Sequence, residues 1–250
     1  MKLGTPLYRL QETTSTSDEA KAAAKAGAPH GSSWLAETQT NGRGRQGRAW
    51  QSKPGDSILF STLLRTTAPP ERVPPLSLVV GLAVRDAVEH ATGASEVRLK
   101  WPNDVLVSGK KVAGILVEAL VAGSRIEAII IGIGLNVHTQ TFPEELEARA
   151  TSLARVTERT LDRDAILEDI LARLDHDAEL ALHRGLGAFR ARLEKADALF
   201  GKRVERDDGG CGTACGIDES GGLRVRRDDG ITEVWASGEV HLVAPGTARS

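Results

Sequence analysis

Gly42-Arg43-Gly44-Arg45-Gln46-Gly47-Arg48-Ala49-Trp50 is the stretch around which this 250-residue chain is organised. Three arginines alternate with three glycines and run into a tryptophan. An apolar, strand-like segment lies on each side, residues 33–38 before it and 57–65 after it. The stretch therefore reads as a loop between two strands of a sheet. A folded chain gathers three cations this closely mainly when an anion sits among them, and the glycines let the backbone wrap that anion. No Gly-Lys-Ser/Thr end closes the stretch, so it is not a Walker phosphate loop. No helix follows the glycines, so it is not a dinucleotide fingerprint either. Trp50 and the flanking strands argue against a free, solvated basic linker.

Composition limits what the anion can belong to. Lys and Arg number 32 against 34 Asp and Glu, a formal charge of -2, so no global basic excess exists to hold nucleic acid and the arginines must act locally. With four Phe, four Trp and one Tyr, a base-stacking platform is not expected. The two cysteines, Cys211 and Cys215, stand in a Gly-rich turn with only scattered histidines elsewhere. They read as free thiols in a reducing compartment, neither a zinc site nor a disulfide framework. No apolar region follows Lys2, so no signal peptide is expected. The longest apolar run, near residues 129–137, contains Gly132, Gly134 and Asn136 and is too short to span a bilayer. A soluble, cytoplasmic protein follows.

The pattern outside the loop is that of an α+β or mixed α/β domain. Residues 7–10 read as a strand. Thr16 with Glu19 fits a capping box, with Ser17 as the competing N-cap, for an Ala-rich helix over 20–26 that Gly27 to Pro29 ends. Those hydroxyls can cap the helix or meet a polar ligand. Apolar residues at helical spacing predict a helix over 76–90. A strand over 97–100 stops at Trp101-Pro102-Asn103-Asp104, where proline forces a turn or an edge. Residues 104–107 and 111–120 form a hairpin about Ser108-Gly109. Gly114 interrupts its second strand, allowing a ligand or another backbone to come close. Residues 125–137 pair back across Gly123-Ser124 as a central strand covered on both faces. Helices follow over 144–150, after an Asp162 cap, and over 187–198. From Gly201, short strands over 202–206, 213–217, 223–227, 231–235 and 239–243 alternate with Gly- and Asp-rich turns, the pattern of a small all-β barrel packed on the main domain.

Three further constellations carry chemistry. Asn103 and Asp104 follow a rigid turn, where Asp104 can hold a magnesium ion on phosphates or simply stabilise the turn. Strand alternation sends Lys110 and Lys111 to opposite faces, one toward a ligand and the other toward water. Gly132-Ile133-Gly134-Leu135-Asn136-Val137 offers close backbone approach and one amide, or merely tight packing.

In this order the motifs resemble the biotin–protein ligase family. The arginine stretch matches its biotin and adenylate loop. Lys100-Trp101-Pro102-Asn103-Asp104, Gly109-Lys110-Lys111-Val112-Ala113-Gly114-Ile115-Leu116-Val117-Glu118 and the Gly132 to Val137 segment match its central motifs. Gly216-Ile217-Asp218, Gly222-Leu223-Arg224-Val225 and Gly238-Glu239-Val240 resemble its C-terminal module. The resemblance spans nearly the whole chain. The Ser15-Thr16 motif comes so early that the short form, without an N-terminal DNA-binding domain, is expected.

The resemblance implies a class II synthetase-like α+β fold with a mixed sheet and packed helices. A catalytic domain over residues 1–199 would precede an SH3-like β-barrel over 200–250. It implies Ser15, Thr16 and Gln39 around the biotin ring. Arg43, Arg45, Lys111, Gly114, Ile115, Gly132 and Gly134 would complete the biotin site. Arg45, Arg48, Trp50, Asn103, Asp104 and Asn136 would hold the nucleotide, with Asp104 the metal ligand. Lys111 and Arg45 would be catalytic. ATP and Mg2+ would be required, biotin would be the substrate, and a biotin carboxyl carrier protein domain of a carboxylase the acceptor. Neither nucleic acid nor membrane is an expected partner, and a homodimer stays open. One departure stands out: the family's Ser-Thr-Asn is Ser15-Thr16-Ser17 here. The competing readings are a lipoate–protein ligase, which lacks this Gly-Arg loop, and a non-enzymatic nucleic-acid-binding module.

Overall fold

The computed structural model describes residues 2–123 and 125–243. In chain order the first elements are β1 (Leu7–Thr13), α1 (Thr16–Lys25), β2 (Ser33–Gln39), β3 (Ser57–Leu64) and α2 (Leu76–Thr92). Then come β4 (Val97–Lys100), β5 (Asp104–Val107), β6 (Lys110–Ala122) and β7 (Arg125–Asn136). The helical block holds α3 (Glu144–Glu147), α4 (Arg163–Arg184) and α5 (Arg190–Ala196). The last five strands are β8 (Arg203–Arg206), β9 (Cys211–Ile217), β10 (Leu223–Arg226), β11 (Thr232–Trp235) and β12 (Val240–Leu242).

The first seven strands pair in the order β1-β2-β3-β7-β6-β5-β4. β1 and β2 run parallel with α1 as their crossover, and the other pairs are antiparallel, so the sheet is mixed as expected. Ser108 and Gly109 both have positive φ, 48° and 79°, which is the geometry a two-residue β5–β6 hairpin demands. The turn joining β6 to β7 includes Ser124, which lies outside the described residues.

β7 is covered on both faces, which explains its blurred alternation. Ile129, Ile131, Ile133 and Leu135 belong to the large core shared with α2 and α4. Ile130 packs instead with Ala20, Ala24, Trp34 and Leu63 beneath α1. α2 is buried along most of its length because it contacts both the sheet and α4. Asp162 caps α4 as expected, its carboxylate accepting from the amides of Asp164 and Ala165.

The capping box predicted at Thr16 and Glu19 does not form. Ser15 takes the N-cap position without a side-chain cap bond, and Glu19 accepts from the Thr13 hydroxyl at 2.6 Å. The Thr16 and Ser17 hydroxyls turn to the sheet instead.

The expected SH3-like barrel is also corrected. The five C-terminal strands form an antiparallel sheet in the order β11-β10-β9-β8-β12, not closed on itself. Closure requires edge strands that are tilted and staggered into register with one another. Here the edges are a four-residue and a three-residue strand, and among the described residues they do not pair. The open sheet buries its apolar face against the main body: Val204, Ala214, Leu223, Val225, Trp235 and Val240 belong to the same core cluster as β7 and α2. The indole N–H of buried Trp101 donates to the Gly221 carbonyl at 2.8 Å across that junction.

Asp197, at the end of α5, is part of the same junction. Its Oδ1 accepts from the Leu199 amide at 2.7 Å, but Oδ2 is buried without a partner. Burial pushes its carboxyl above the usual carboxylate range, opposed by hydrogen bonds from the Leu199 and Phe200 amides. Below its unfolded pKa of about 4 the group is neutral in both states and costs nothing; as pH rises through the raised folded value, the buried anion costs stability. Asp197→Asn keeps the cap and removes the anion. It is expected to raise the melting temperature near pH 8, by an increment that vanishes toward about pH 4. Circular dichroism melts across that range read the effect, and an increment independent of pH would contradict it.

Candidate active site

Three glycines open a trough in the sheet. The even-numbered residues of β7 face α1, and along this row Ile130 is followed by Gly132, Gly134 and Asn136. Gly134 pairs with Gly114 of β6, and Gly132 pairs with Ser61 of β3 and Leu116 of β6. Side chains are thus missing from adjacent strands at one place in an otherwise filled face. Trp50 lies in the gap. A Cβ on Gly134 would stand 2.6 Å from its ring, and one on Gly114 would stand 3.2 Å away. The Trp50 indole N–H is buried without a hydrogen-bond partner.

The start of α1 closes one end of the trough. Gln39 Oε1 accepts from the Thr16 amide at 2.8 Å and from its hydroxyl at 3.1 Å. Thr16 and Ser17 both reach Ser61 Oγ, at 2.8 and 3.0 Å. Thr16, Ser17 and Ser61 are all buried, so these hydroxyls hold one another and not bulk water, and Ser15 is buried beside them. At the other end Asn136 donates from its amide to the Thr151 carbonyl at 3.1 Å, and the Ser57 hydroxyl lies 3.5 Å from its Oδ1.

The charged groups meet beside Gly114. Lys111 Nζ lies 2.6 Å from Asp104 Oδ1 and 5.7 Å from the Trp50 ring centroid. Arg45 donates to Asn103 Oδ1 at 3.3 Å. Asn103 is itself fixed by donating to the Ile115 carbonyl at 2.8 Å and accepting the Ile115 amide at 2.9 Å. Burial pulls the Arg45 guanidinium below its ordinary pKa, against the opposing carboxylates of Glu239 and Asp104. Asp104 keeps only 14 % of its side chain exposed, so losing Lys111 would leave a largely desolvated carboxylate uncompensated.

The arginine loop folds on itself across the trough. Gly44 N bonds Arg48 O at 2.7 Å and Trp50 N bonds Gly42 O at 2.9 Å. Between them Gln46 and Gly47 take left-handed φ values of 54° and 74°. Under the loop lies a cavity of about 570 Å³, walled by residues 41–49 on one side and by Leu116 and Glu118 on the other. That is within the size of small-molecule sites. The three arginines part company. Arg43 pairs outward with Asp18 at 2.7 Å and Glu118 at 3.3 Å, Arg45 turns inward, and Arg48 pairs with Glu239 of the C-terminal sheet at 3.1 Å.

The structure therefore gathers Ser15, Thr16, Gln39, Arg45, Trp50, Asn103, Asp104, Lys111, Gly114, Gly132, Gly134 and Asn136 about one trough and its lid. The Ile115 side chain belongs to the core shared with α2, so only its backbone reaches this side. Ser61, Glu118 and Glu239 join the site although no local pattern singles them out. Ser61 had one faint signal, a hydroxyl sharing with Ser57 the α1-facing side of an apolar strand. Among the described residues no three His, Cys, Asp or Glu side chains gather to hold a metal ion. Asp104 alone suits a divalent cation that arrives already carrying phosphate oxygens.

Residues 7–136 match the family described as "Biotin/lipoate A/B protein ligase family", and residues 203–243 match "Biotin protein ligase C terminal domain". The chain belongs to the biotin/lipoate protein ligase family. It is 34% identical over 240 residues to the bifunctional ligase/repressor BirA of Bacillus spizizenii, covering 94% of this chain and 74% of that protein. It is 37% identical over 240 residues to the biotin--[acetyl-CoA-carboxylase] ligase of Mycobacterium tuberculosis, covering 92% and 87%. Among solved structures, biotin protein ligase from Aquifex aeolicus in complex with biotin and ATP superposes with a TM-score of 0.80 at 32% identity, covering 95% of this chain and 98% of that one.

In this ligase-family chain the Trp50 ring lies over the Gly134 backbone, where an added Cβ would overlap it. Gly134→Ala is expected to expel Trp50 and loosen the loop, leaving the core intact. Limited trypsin digestion should then cleave after Arg45 or Arg48 at least about threefold faster than in the parent, since proteolysis tracks local opening. Equal cleavage rates would show that Trp50 does not hold the lid.

Proposed function

We propose that this protein is an ATP-dependent biotin–protein ligase. It activates biotin as biotinyl-5'-adenylate and transfers the biotinyl group to a lysine of a biotin carboxyl carrier protein domain. The observation that carries this reading is the joint placement of Lys111, Asp104, Arg45 and Asn103 beside a glycine-floored trough, in a chain whose first part matches the biotin/lipoate ligase family and whose last part matches a biotin ligase module. The match over residues 203–243 is to a biotin ligase module and favours biotin over lipoate. We also read the chain as two domains divided near residue 200. No helix among the described residues is long and apolar enough to cross a membrane, and a cytoplasmic ligase is in keeping with that.

The chemistry follows from the charges. Biotin's carboxylate is a weak electrophile until its oxygen is made a leaving group. In the first step a carboxylate oxygen attacks the α-phosphorus of ATP. A new O–P bond forms, the bond to the β-phosphate bridge breaks, and pyrophosphate departs with the electron pair. Negative charge builds on the α-phosphate, where the Lys111 ammonium and the Arg45 guanidinium stand ready. Asn103 sets the reach of Arg45 through its own two backbone bonds. Asp104 holds Lys111 and would hold a magnesium ion brought by the nucleotide, which would neutralise phosphate charge. In the second step a lysine amine attacks the acyl carbon of the mixed anhydride. The C–N bond forms, the C–O bond to AMP breaks, and the amine loses its proton. The folded arginine loop would keep water from the anhydride meanwhile.

Two measurements test the reading. Biotin-dependent ATP–pyrophosphate exchange should occur, with a mass gain of one biotinyl group on a carrier domain. A lipoate-dependent signal without a biotin-dependent one would overturn it. Lys111→Ala should still fold, with a lowered melting temperature because Asp104 loses its partner, and should lose roughly 100-fold or more of the exchange activity, the usual scale for removing a group that stabilises developing charge. Near-parental exchange in that variant would remove Lys111 from its role.

A further inference from the structure

The arginine loop leaves the sheet at the end of β2 and returns at the start of β3, and the sheet itself does not hold these two roots together. The ladder between β2 and β3 runs from Ser33↔Thr62 to Ala36↔Leu59 and stops there. Beyond it the strands part. Ser57 still pairs with Asn136 of β7, but β2 no longer runs beside it. A strand carbonyl that loses its neighbour has to be satisfied from elsewhere.

Arg163 supplies that partner. It is the first residue of α4 and stands 106 positions from Ser57 in the chain. One end of its guanidinium donates to the Ser57 carbonyl at 3.0 Å and the other to Glu37 Oε2 at 2.7 Å. The two side chains of this ion pair are only 24 % and 29 % exposed. The base of the clamp is firm: Ile166, Leu167 and Ile170 anchor α4 in the main core, and Asp164 pairs with Arg9 of β1 at 2.9 Å. Both roots lead into the site. Two residues beyond Glu37, Gln39 accepts from the Thr16 amide. On the other limb, Ser57 Oγ accepts from Ser52 Oγ at 2.8 Å and lies 3.5 Å from Asn136 Oδ1. The neighbouring Asp56 carbonyl accepts from the Val137 and His138 amides at 3.0 and 2.8 Å.

We propose that Arg163 is a positioning residue that clamps the two roots of the arginine loop at a fixed spacing, so that the loop closes over the trough as one hinged unit. A planar guanidinium suits the task, since its two ends bond two strands at once where an ammonium offers a single point. α4 thereby takes part in closing the site. When the roots spread, the lid closes imperfectly and water reaches the adenylate. Water then adds to the acyl carbon, the C–O bond to AMP breaks, and biotin and AMP are returned without transfer. That consequence rests on the biotin reading above; the clamp on the loop does not.

Two readouts test the clamp. In the ligand-free protein, Arg163→Met should speed hydrogen exchange of the Gly44 and Trp50 amides, both bonded within the loop, about fivefold, the scale of one lost hydrogen bond. With biotin, ATP and a fixed concentration of carrier domain, the AMP formed per carrier biotinylated should rise at least about threefold. That ratio does not depend on how much of the protein is folded, so a merely structural role would leave it unmoved. Glu37→Gln should shift both readouts in the same direction, and it decides the matter should Arg163→Met not fold. With Arg163→Met and Glu37→Gln together, the effect should be no greater than that of Arg163→Met alone, because both act through one contact. Parental loop exchange in the folded variants, a parental AMP ratio beside an active parent, or additive effects in the double variant would each overturn the proposal. A parent that forms no biotinyl-adenylate overturns the functional reading, and loop exchange then judges the clamp by itself.

Discussion

A sheet whose central strand is packed on both faces has no spare volume, so a ligand can enter only where side chains are missing. Gly132 and Gly134 on β7, with Gly114 beside them on β6, make that vacancy. Everything else about the site is arranged around it. The Ser17 hydroxyl borders Gly132, Trp50 lies against Gly134, and the Lys111–Asp104 pair stands next to Gly114. The opposite face of the same strands carries Ile131, Ile133 and Ile115 in the main core. The backbone under the trough is therefore held rigidly although its upper side is bare. Rigid elements beneath a site are what let its polar groups keep their geometry without reorganising.

Charge is handled with the same economy of partners. Each arginine of the loop pairs with a different part of the molecule: Arg43 with α1 and β6, Arg45 with the β4–β5 turn through Asn103, Arg48 with the C-terminal sheet through Glu239. Arg43 and Arg48 act as tethers: their guanidinium groups are partly exposed, although Glu239 is mostly buried. Arg45 is different, since burial already disfavours its charge and a phosphate would supply the missing counterion. Glu239 adds a consequence for the small C-terminal sheet. It places a carboxylate near two loop arginines, so the sheet contributes to the lid as well as to the core.

The element pattern was legible because it rests on local physics. The Ser108-Gly109 turn, the Asp162 cap and the doubly buried β7 all follow from backbone preference and hydrophobic period. The capping box at Thr16 failed for a physical reason. A threonine hydroxyl bonds whichever partner is nearest and driest, and tertiary packing brought Gln39 and Ser61 closer than the helix's own amides. The barrel failed similarly. Short alternating strands are equally compatible with a closed barrel or an open sheet lying on another core, and Trp101 with its apolar neighbours supplied that core.

By itself the sequence determined most of the elements, the gathering of three arginines in one glycine-rich loop and the family to which its motifs point. Those properties depend on residue type and spacing within a few turns of chain. Only the tertiary structure decided that Arg45 alone turns inward, that Ile115 contributes no side chain, and that Thr16 bonds Gln39 and Ser61. These are contacts between residues far apart in the chain, and their partners are chosen by packing, which no local pattern records.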